Sequence, residues 1–242
     1  MDRGRGGWRF GSHFFGHEFI FHEYPLINLG KIHFVFNRFS LARDEGNDQN
    51  YRRPLDGAPL RELAKPTRFA NLDLVPAKPD LAGTAAELSR RGDGERYLNE
   101  ALTANGDYSF VFVDCPPSLG PLTVNALAAA DRVLVPLQAE YYALEGLAQL
   151  VRSVELIRAR LNPRLAIAGV ILTMVDRRTR LAADVDAEVR RHFGNLVFDA
   201  SIPRSVRVAE APSHGMPVTA YDRVSAGADA YWKVAMELVE RS

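Results

Sequence analysis

The chain has 242 residues, enough for one large α/β domain or two small ones. A single domain of that size buries roughly 70–75% of its unfolded surface and needs no disulfide or metal for a core. Its 30 basic and 30 acidic side chains cancel, so net charge makes no case for nucleic acid, and no apolar run is long enough to span a membrane. The lone cysteine, Cys115, excludes a disulfide framework or a cysteine-based zinc site within one chain. Only Lys31, Lys65, Lys78 and Lys233 are lysines, and the other 26 basic residues are arginines. Arginine suits phosphate and carboxylate forks, but a biased genome gives the same skew.

Residues 1 to about 50 differ from the rest. Eight of the 13 phenylalanines and four of the six histidines precede residue 40, and the first alanine is Ala42. His13, His17, Glu18 and His22 interrupt any signal-peptide core, so the protein is expected in the cytoplasm. The histidine-rich tract invites a metal reading, but His13, His17, His22 and His33 form no tight set with a carboxylate on one face. Lys31 to Phe36 is a candidate short strand, and Leu41 to Tyr51 reads as a linker. A poorly structured or foreign segment over 1–50, followed by an α/β domain over 51–242, fits this break.

From Tyr51 the pattern is orderly. Leu60–Ala64 reads as a short helix, Leu72–Pro76 as a strand, and Asp80 as the cap of a helix through Leu88. Arg96–Ala104 is helical, Tyr108–Val113 a strand, Thr123–Ala130 a helix and Arg132–Leu137 a strand. A long helix runs from Ala143 to Leu161, with Leu147, Leu150, Val151, Val154 and Ile157 on one face, and Asn162-Pro163 stops it. Ile167–Val175 is a strand, Leu181–Phe193 a helix, Leu196–Ile202 a strand, Glu210–Gly215 a loop and Ala226–Arg241 a closing helix. Strands alternating with helices predict a mostly parallel sheet with helices on both faces.

The stretch Val111-Phe112-Val113-Asp114-Cys115-Pro116-Pro117 concentrates the chemistry. It is an apolar strand stopped by two prolines that cannot extend a ladder. An acid at the carboxyl end of a parallel strand lies where open α/β sheets bind ligands. A strand-end aspartate that caps the following turn is the competing reading. Cys115 reads as a small apolar residue beside the strand end and not as a nucleophile. Tyr141-Tyr142 reads as helix-entry packing, and His214 as a structural residue of its Pro-Ser-His-Gly turn.

From about Asp56 onward, some 187 residues, the chain resembles the ParA/Soj family of chromosome- and plasmid-partitioning ATPases. The resemblance rests on separate blocks: Leu72–Ala77 with Asp80–Gly83, Val113–Gly120, Gln138–Leu147, Leu172–Asp176 with Arg178-Thr179, and Ile202–Arg207 with Glu210–Gly215. It implies a P-loop NTPase fold of the SIMIBI type. It implies that Asp114 is the Walker B acid that holds Mg²⁺ through water, and that Cys115 to Gly120, with Pro116 and Pro117, is the switch that responds to the γ-phosphate. Met174 and the Ile202-Pro203-Arg204 loop are similar to the family's adenine-side contacts. Arg178, Arg180, Arg190, Arg204 and Arg207 are the candidates for sequence-independent DNA binding, with a solvated charged face as the alternative. In intact members ATP and Mg²⁺ close a homodimer that binds nucleoid DNA, and a ParB-type partner stimulates hydrolysis.

The chain departs from the family at its start. The first βαβ unit, with the deviant phosphate loop Lys-Gly-Gly-x-Gly-Lys-Thr and the Asp-x-Asp-Pro segment, is not found. That loop works by aiming backbone N–H groups and a lysine at phosphates. The one Gly-Lys pair, Gly30-Lys31, is followed by Ile32 where a hydroxyl residue should hold the metal, and Pro25 stands where the general motif has its first glycine. A frameshift, a misassigned start or a gene fragment accounts for the break. Removing a central strand leaves a slot. Either Lys31–Phe36 fills it, despite the poor fit of Lys31 and His33, or the fold is destabilised. The expected protein is a ParA/Soj-type partitioning protein by descent with impaired nucleotide chemistry. The alternative is a non-enzymatic DNA- or partner-binding protein. A MinD-like membrane cycler needs a basic amphipathic C-terminal helix, whereas Met236–Ser242 is acidic.

Overall fold

The computed structural model describes residues 31–35, 63–75, 81–90, 94–103, 108–115, 119–140 and 143–242. The expected linker at 41–51, His13, His17, His22, Asp80, Pro116, Pro117, Tyr141 and Tyr142 lie outside the described residues, as do residues 60–62 of the first expected helix.

The strands form two sheet segments. In the first, β1 (Lys31–Val35) lies between β3 (Leu72–Val75) and β4 (Tyr108–Val113), parallel to both, and the two-residue β2 (Lys65–Pro66) pairs antiparallel with β3. In the second, β5 (Arg132–Gln138) pairs parallel with β6 (Ala166–Thr173) in a register that runs to Gln138 opposite Thr173. The Lys31 run is therefore an interior strand, despite its lysine and histidine. The sheet is still divided, because no ladder joins β4 to β5 among the described residues. The two strands nevertheless share a layer: Phe112 of β4 and Leu134 of β5 pack against the same buried cluster.

β6 shows why a parallel strand reads as an unbroken apolar run. Its last five residues, Gly169 to Thr173, are all buried. Val170 and Leu172 enter one core cluster, with Leu147 of helix α4 (Ala143–Arg160) and Val185 and Val189 of α5 (Arg180–Phe193). Between them, Ile171 points to the opposite cluster, with Phe198, Ile202 and residues Ala228, Tyr231, Val234 and Leu238 of α8 (Ala226–Glu240). Alternation by two residues thus puts a helix layer on each face. No residue of β4 reaches that degree of burial.

The remaining helices are α1 (Leu81–Arg90), α2 (Tyr97–Thr103), α3 (Pro121–Ala129), α6 (Val206–Glu210) and α7 (Val218–Tyr221). Pro121 occupies the first turn of α3, where its missing N–H costs nothing. The long helix α4 ends as expected, and Asn162 does more than stop it. Its amide donates to the carbonyls of Leu127 at 3.1 Å and Ala130 at 2.6 Å, tying α4 to the end of α3.

Two expectations need correction. Leu196–Ile202 is not a continuous strand: Gly194–Leu196 is a 3₁₀ turn, and the segment after it meets β6 through an isolated bridge at Val197 and single hydrogen bonds from Phe198 N and Ile202 N, with a further bridge from Pro203 to Val175 beyond β6. The cause is competition for backbone groups. Glu237 on α8 accepts from the N–H groups of Asp199 and Ala200, and Arg241 donates to the carbonyls of Asn195 and Val197. Glu210–Gly215 is not a loop. α6 runs into a 3₁₀ turn over Ala211–His214, closed by Gly215 in the left-handed conformation at φ 62°.

Candidate nucleotide and polyanion site

Asp114 follows the last residue of β4 and is exposed at the carboxyl end of the sheet. Desolvation of the carboxyl raises its pKa above the ordinary carboxylate value, and the Cys115 backbone N–H pulls it the other way. Cys115 is half-buried. Burial, aided by the Asp114 charge, pushes its thiol up to about 12, and Sγ lies 3.7 Å from the Val113 carbonyl. A thiol so held stays protonated and is no nucleophile. Among the described residues no group of three or more His, Cys, Asp or Glu is placed to hold a metal directly.

A second group of candidates comes together at the carboxyl end of β6. Ile202 N donates to Leu172 O at 2.8 Å, Val175 N to Ile202 O at 3.1 Å and Arg204 N to Val175 O at 3.1 Å. Met174 and the Ile202-Pro203-Arg204 segment are therefore side by side. Met174 sits at φ 54°, a left-handed turn that a non-glycine residue rarely adopts and that marks the exit from β6. Ala139 N donates to Thr173 O at 3.1 Å, bringing the end of β5 to the same edge. The buried Thr173 hydroxyl has no hydrogen-bond partner.

Side chains from these three segments carry alternating charge. Arg204 Nη2 lies 3.4 Å from Glu140 Oε1. Arg178 forks onto Asp176, with Nε and Nη2 donating at 2.9 and 2.8 Å. The Arg178 fork and its backbone N–H lower the Asp176 pKa to about 2. Thr179 N-caps α5 by accepting from Ala182 N.

The five candidate DNA-binding arginines divide by what they hold. Arg178, Arg180 and Arg204 are exposed and each holds a single carboxylate, Arg180 facing Asp184 at 3.9 Å. Arg190 is committed to structure: it pairs with Asp186 and Asp199 and donates to the Phe198 carbonyl. Arg207 pairs with Glu210 at 3.1 Å and Asp222 at 3.3 Å. His214 stacks on Tyr221 with ring centroids 4.9 Å apart. Glu140 and Asp176 were within recognised sequence blocks but had no assigned role. The signal available was Asp176 three residues before the N-cap Thr179.

The residues present fit one half of a magnesium-nucleotide site. Asp114 suits a position behind a metal's water shell. The glycine-rich phosphate loop is not found in the sequence after β1. β1 ends with Val35 opposite Val113, beside Asp114, and the chain continues as Phe36-Asn37-Arg38-Phe39-Ser40. That stretch has no glycine, the residue a phosphate-cradling loop uses for its tight turns.

Solved structures share the fold. Cobyrinic acid a,c-diamide synthase from Mycobacterium smegmatis matches with a TM-score of 0.70 and 30% identity over 87% of this chain and 82% of that one. A further structure of that enzyme holds ADP and magnesium. A McdA–ATP complex from Cyanothece gives a TM-score of 0.72 over 88% of this chain and 85% of that one, at 17% identity. The parallel sheet, its two helix layers and these likenesses define the ParA/MinD-like class of P-loop NTPase folds. The AAA domain family profile matches residues 37–167. Chromosome partitioning protein ParA of Caulobacter vibrioides is 54% identical over 187 residues, 76% of this chain and 70% of the relative. Soj of Bacillus subtilis is 47% identical over 185 residues, 76% of this chain and 73% of the relative. The chain belongs to the ParA/Soj family of chromosome-partitioning ATPases.

Proposed function

We propose that this chain is a partitioning protein that keeps the DNA-facing surface and the magnesium acid of its family but binds ATP weakly and does not turn it over efficiently. The observation that carries the reading is the glycine-free Phe36–Ser40 segment that follows β1 beside Asp114. A charge-assisted hydrogen bond is worth roughly 1.5–3 kcal/mol. Losing three such contacts to phosphate costs about 5–9 kcal/mol. At about 1.4 kcal/mol per tenfold, a micromolar nucleotide site then becomes millimolar or weaker. Asp114 orients a metal and does not replace contacts to phosphate.

In this reading the stretch before residue 51 lacks the family's nucleotide-binding start, although Lys31–Val35 holds a place in the sheet, and 51–242 carry the DNA-facing surface. DNA is bound through phosphates by exposed arginines at the carboxyl end of β6. The family's homodimer and its ParB-type partner are proposed as partners on the same basis. No helix of the described residues is long and apolar enough to cross a membrane. Association with the nucleoid follows from DNA binding. Purified protein is assayed for ATP hydrolysis and for duplex binding with and without ATP. The reading expects negligible hydrolysis and salt-sensitive duplex binding that ATP does not change. ATPase activity that disappears in Asp114→Ala overturns it. Absence of duplex binding at low salt removes its DNA half.

A further inference from the structure

Three segments meet at the carboxyl edge of the second sheet: the end of β5, the turn after β6 and the strap through Pro203. Together they carry a chain of four charges, running Glu140, Arg204, Asp176, Arg178, the last two both from the turn after β6. Both arginines are exposed, the Arg178 side chain 88% and Arg204 56%, and each makes one close ion pair. Arg177 beside them is exposed and makes no ion pair among the described residues.

We propose that Glu140 is a resident competitor for the phosphates of duplex DNA. It occupies Arg204 in the free protein and is exchanged for a backbone phosphate on binding. The inference rests on the DNA reading above and adds to it which acid sets the affinity. An exposed guanidinium–carboxylate contact is weak and screened, so the exchange is shallow and reversible. The contact at 3.4 Å is longer than a good charge-assisted hydrogen bond. Arg190 and Arg207 each hold two acids and stay with them. The exchange also accounts for a DNA surface on a chain whose charges cancel: the acid sits on the arginine it regulates.

The test is duplex binding by fluorescence anisotropy at low salt, with wild type, Glu140→Gln, Arg204→Ala and the double variant. Glu140→Gln is expected to tighten binding about two- to fivefold, the range for one exposed ion pair. Arg204→Ala is expected to weaken binding, and Glu140→Gln on that background to gain nothing. An unchanged or weaker affinity in Glu140→Gln overturns the proposal. So does an equal gain in both backgrounds, which is a general effect of net charge. Inorganic triphosphate in place of the duplex is expected to show no gain. An equal gain there moves the exchange to a nucleotide and also overturns it. If wild type binds and Glu140→Gln matches it, the DNA reading stands and only the exchange falls. If neither binds, both fall.

Discussion

Glu237 and Arg241, one turn apart near the end of α8, pair at 2.6 Å and together take the backbone of the neighbouring edge segment. Arg241 also lies over the Phe198 ring, 4.3 Å from its centroid. The C-terminal helix is thus a clamp on the segment that leads into Ile202-Pro203-Arg204, and so on the position of the site.

Glu237→Ala removes the acceptor for the Asp199 and Ala200 N–H groups and leaves Arg241 without its acid. The expected loss is about 1–3 kcal/mol, the net worth of hydrogen bonds from an exposed and a half-buried donor to a charged acceptor. Glu237→Gln keeps one acceptor and is expected to lose less. Chemical denaturation of the two variants measures the difference, and equal midpoints would count against the clamp.

Gly169 lies beneath the Phe198 ring, and a Cβ there would strike both that ring and the Leu196 carbonyl. The ring is fully buried and cannot swing clear. Gly169→Ala is expected to cost about 1–3 kcal/mol, as overpacking of a filled core does. A thermal melt reads it.

The Cys115 thiol is raised from 9.0 to about 12 in the folded chain. An acid whose folded pKa lies above its unfolded value favours the folded state below the unfolded value. That contribution is lost as pH rises through the window from about 9 to 12. Native protein at pH 8 is expected to react slowly with a thiol reagent, and denatured protein at the ordinary rate. Equal rates would mean that burial does not hold the proton.

Asp114 carries the same sign in a carboxylate. Its folded pKa is raised by desolvation, so above that pKa its ionised form is disfavoured in the fold relative to the unfolded chain. Asp114→Asn is expected to raise the melting temperature at pH 7, with the increase disappearing as the pH is lowered toward the carboxylate range. A structural capping aspartate predicts the opposite, a loss at pH 7. The melt therefore separates a group kept for a ligand from one kept for stability.

Much of the second half of the chain is legible without coordinates. The run Ile167–Val175 is apolar at every position but Gly169 and Thr173, which marks β6 as a strand covered on both faces. The spacing of Leu147, Val154 and Ile157 marks the buried face of α4. Asp114 is recognisable because Pro116-Pro117 must end the strand beside it. Leu196–Ile202 misled, because its composition is that of a strand while the N–H groups of Asp199 and Ala200 in its middle are taken by Glu237, about 40 residues away on α8.

What the amino-acid order determined by itself is the set of local preferences: strand, turn, helix and the acid at a strand end. These depend on sterics and periodicity within a few residues. The tertiary structure decided where Lys31–Val35 pairs, which arginines are spent on structure and which face solvent, and that Glu140 reaches Arg204. Arg190 and Arg204 are the same residue type on equally polar stretches. One is held because α5 packs beside Asp199 and the Phe198 carbonyl; the other is exposed, with Glu140 its one ion-pair partner at the strand ends among the described residues. Such pairings span tens of residues in sequence. Ion pairs act over a few ångströms in space, and only the folded chain sets those distances.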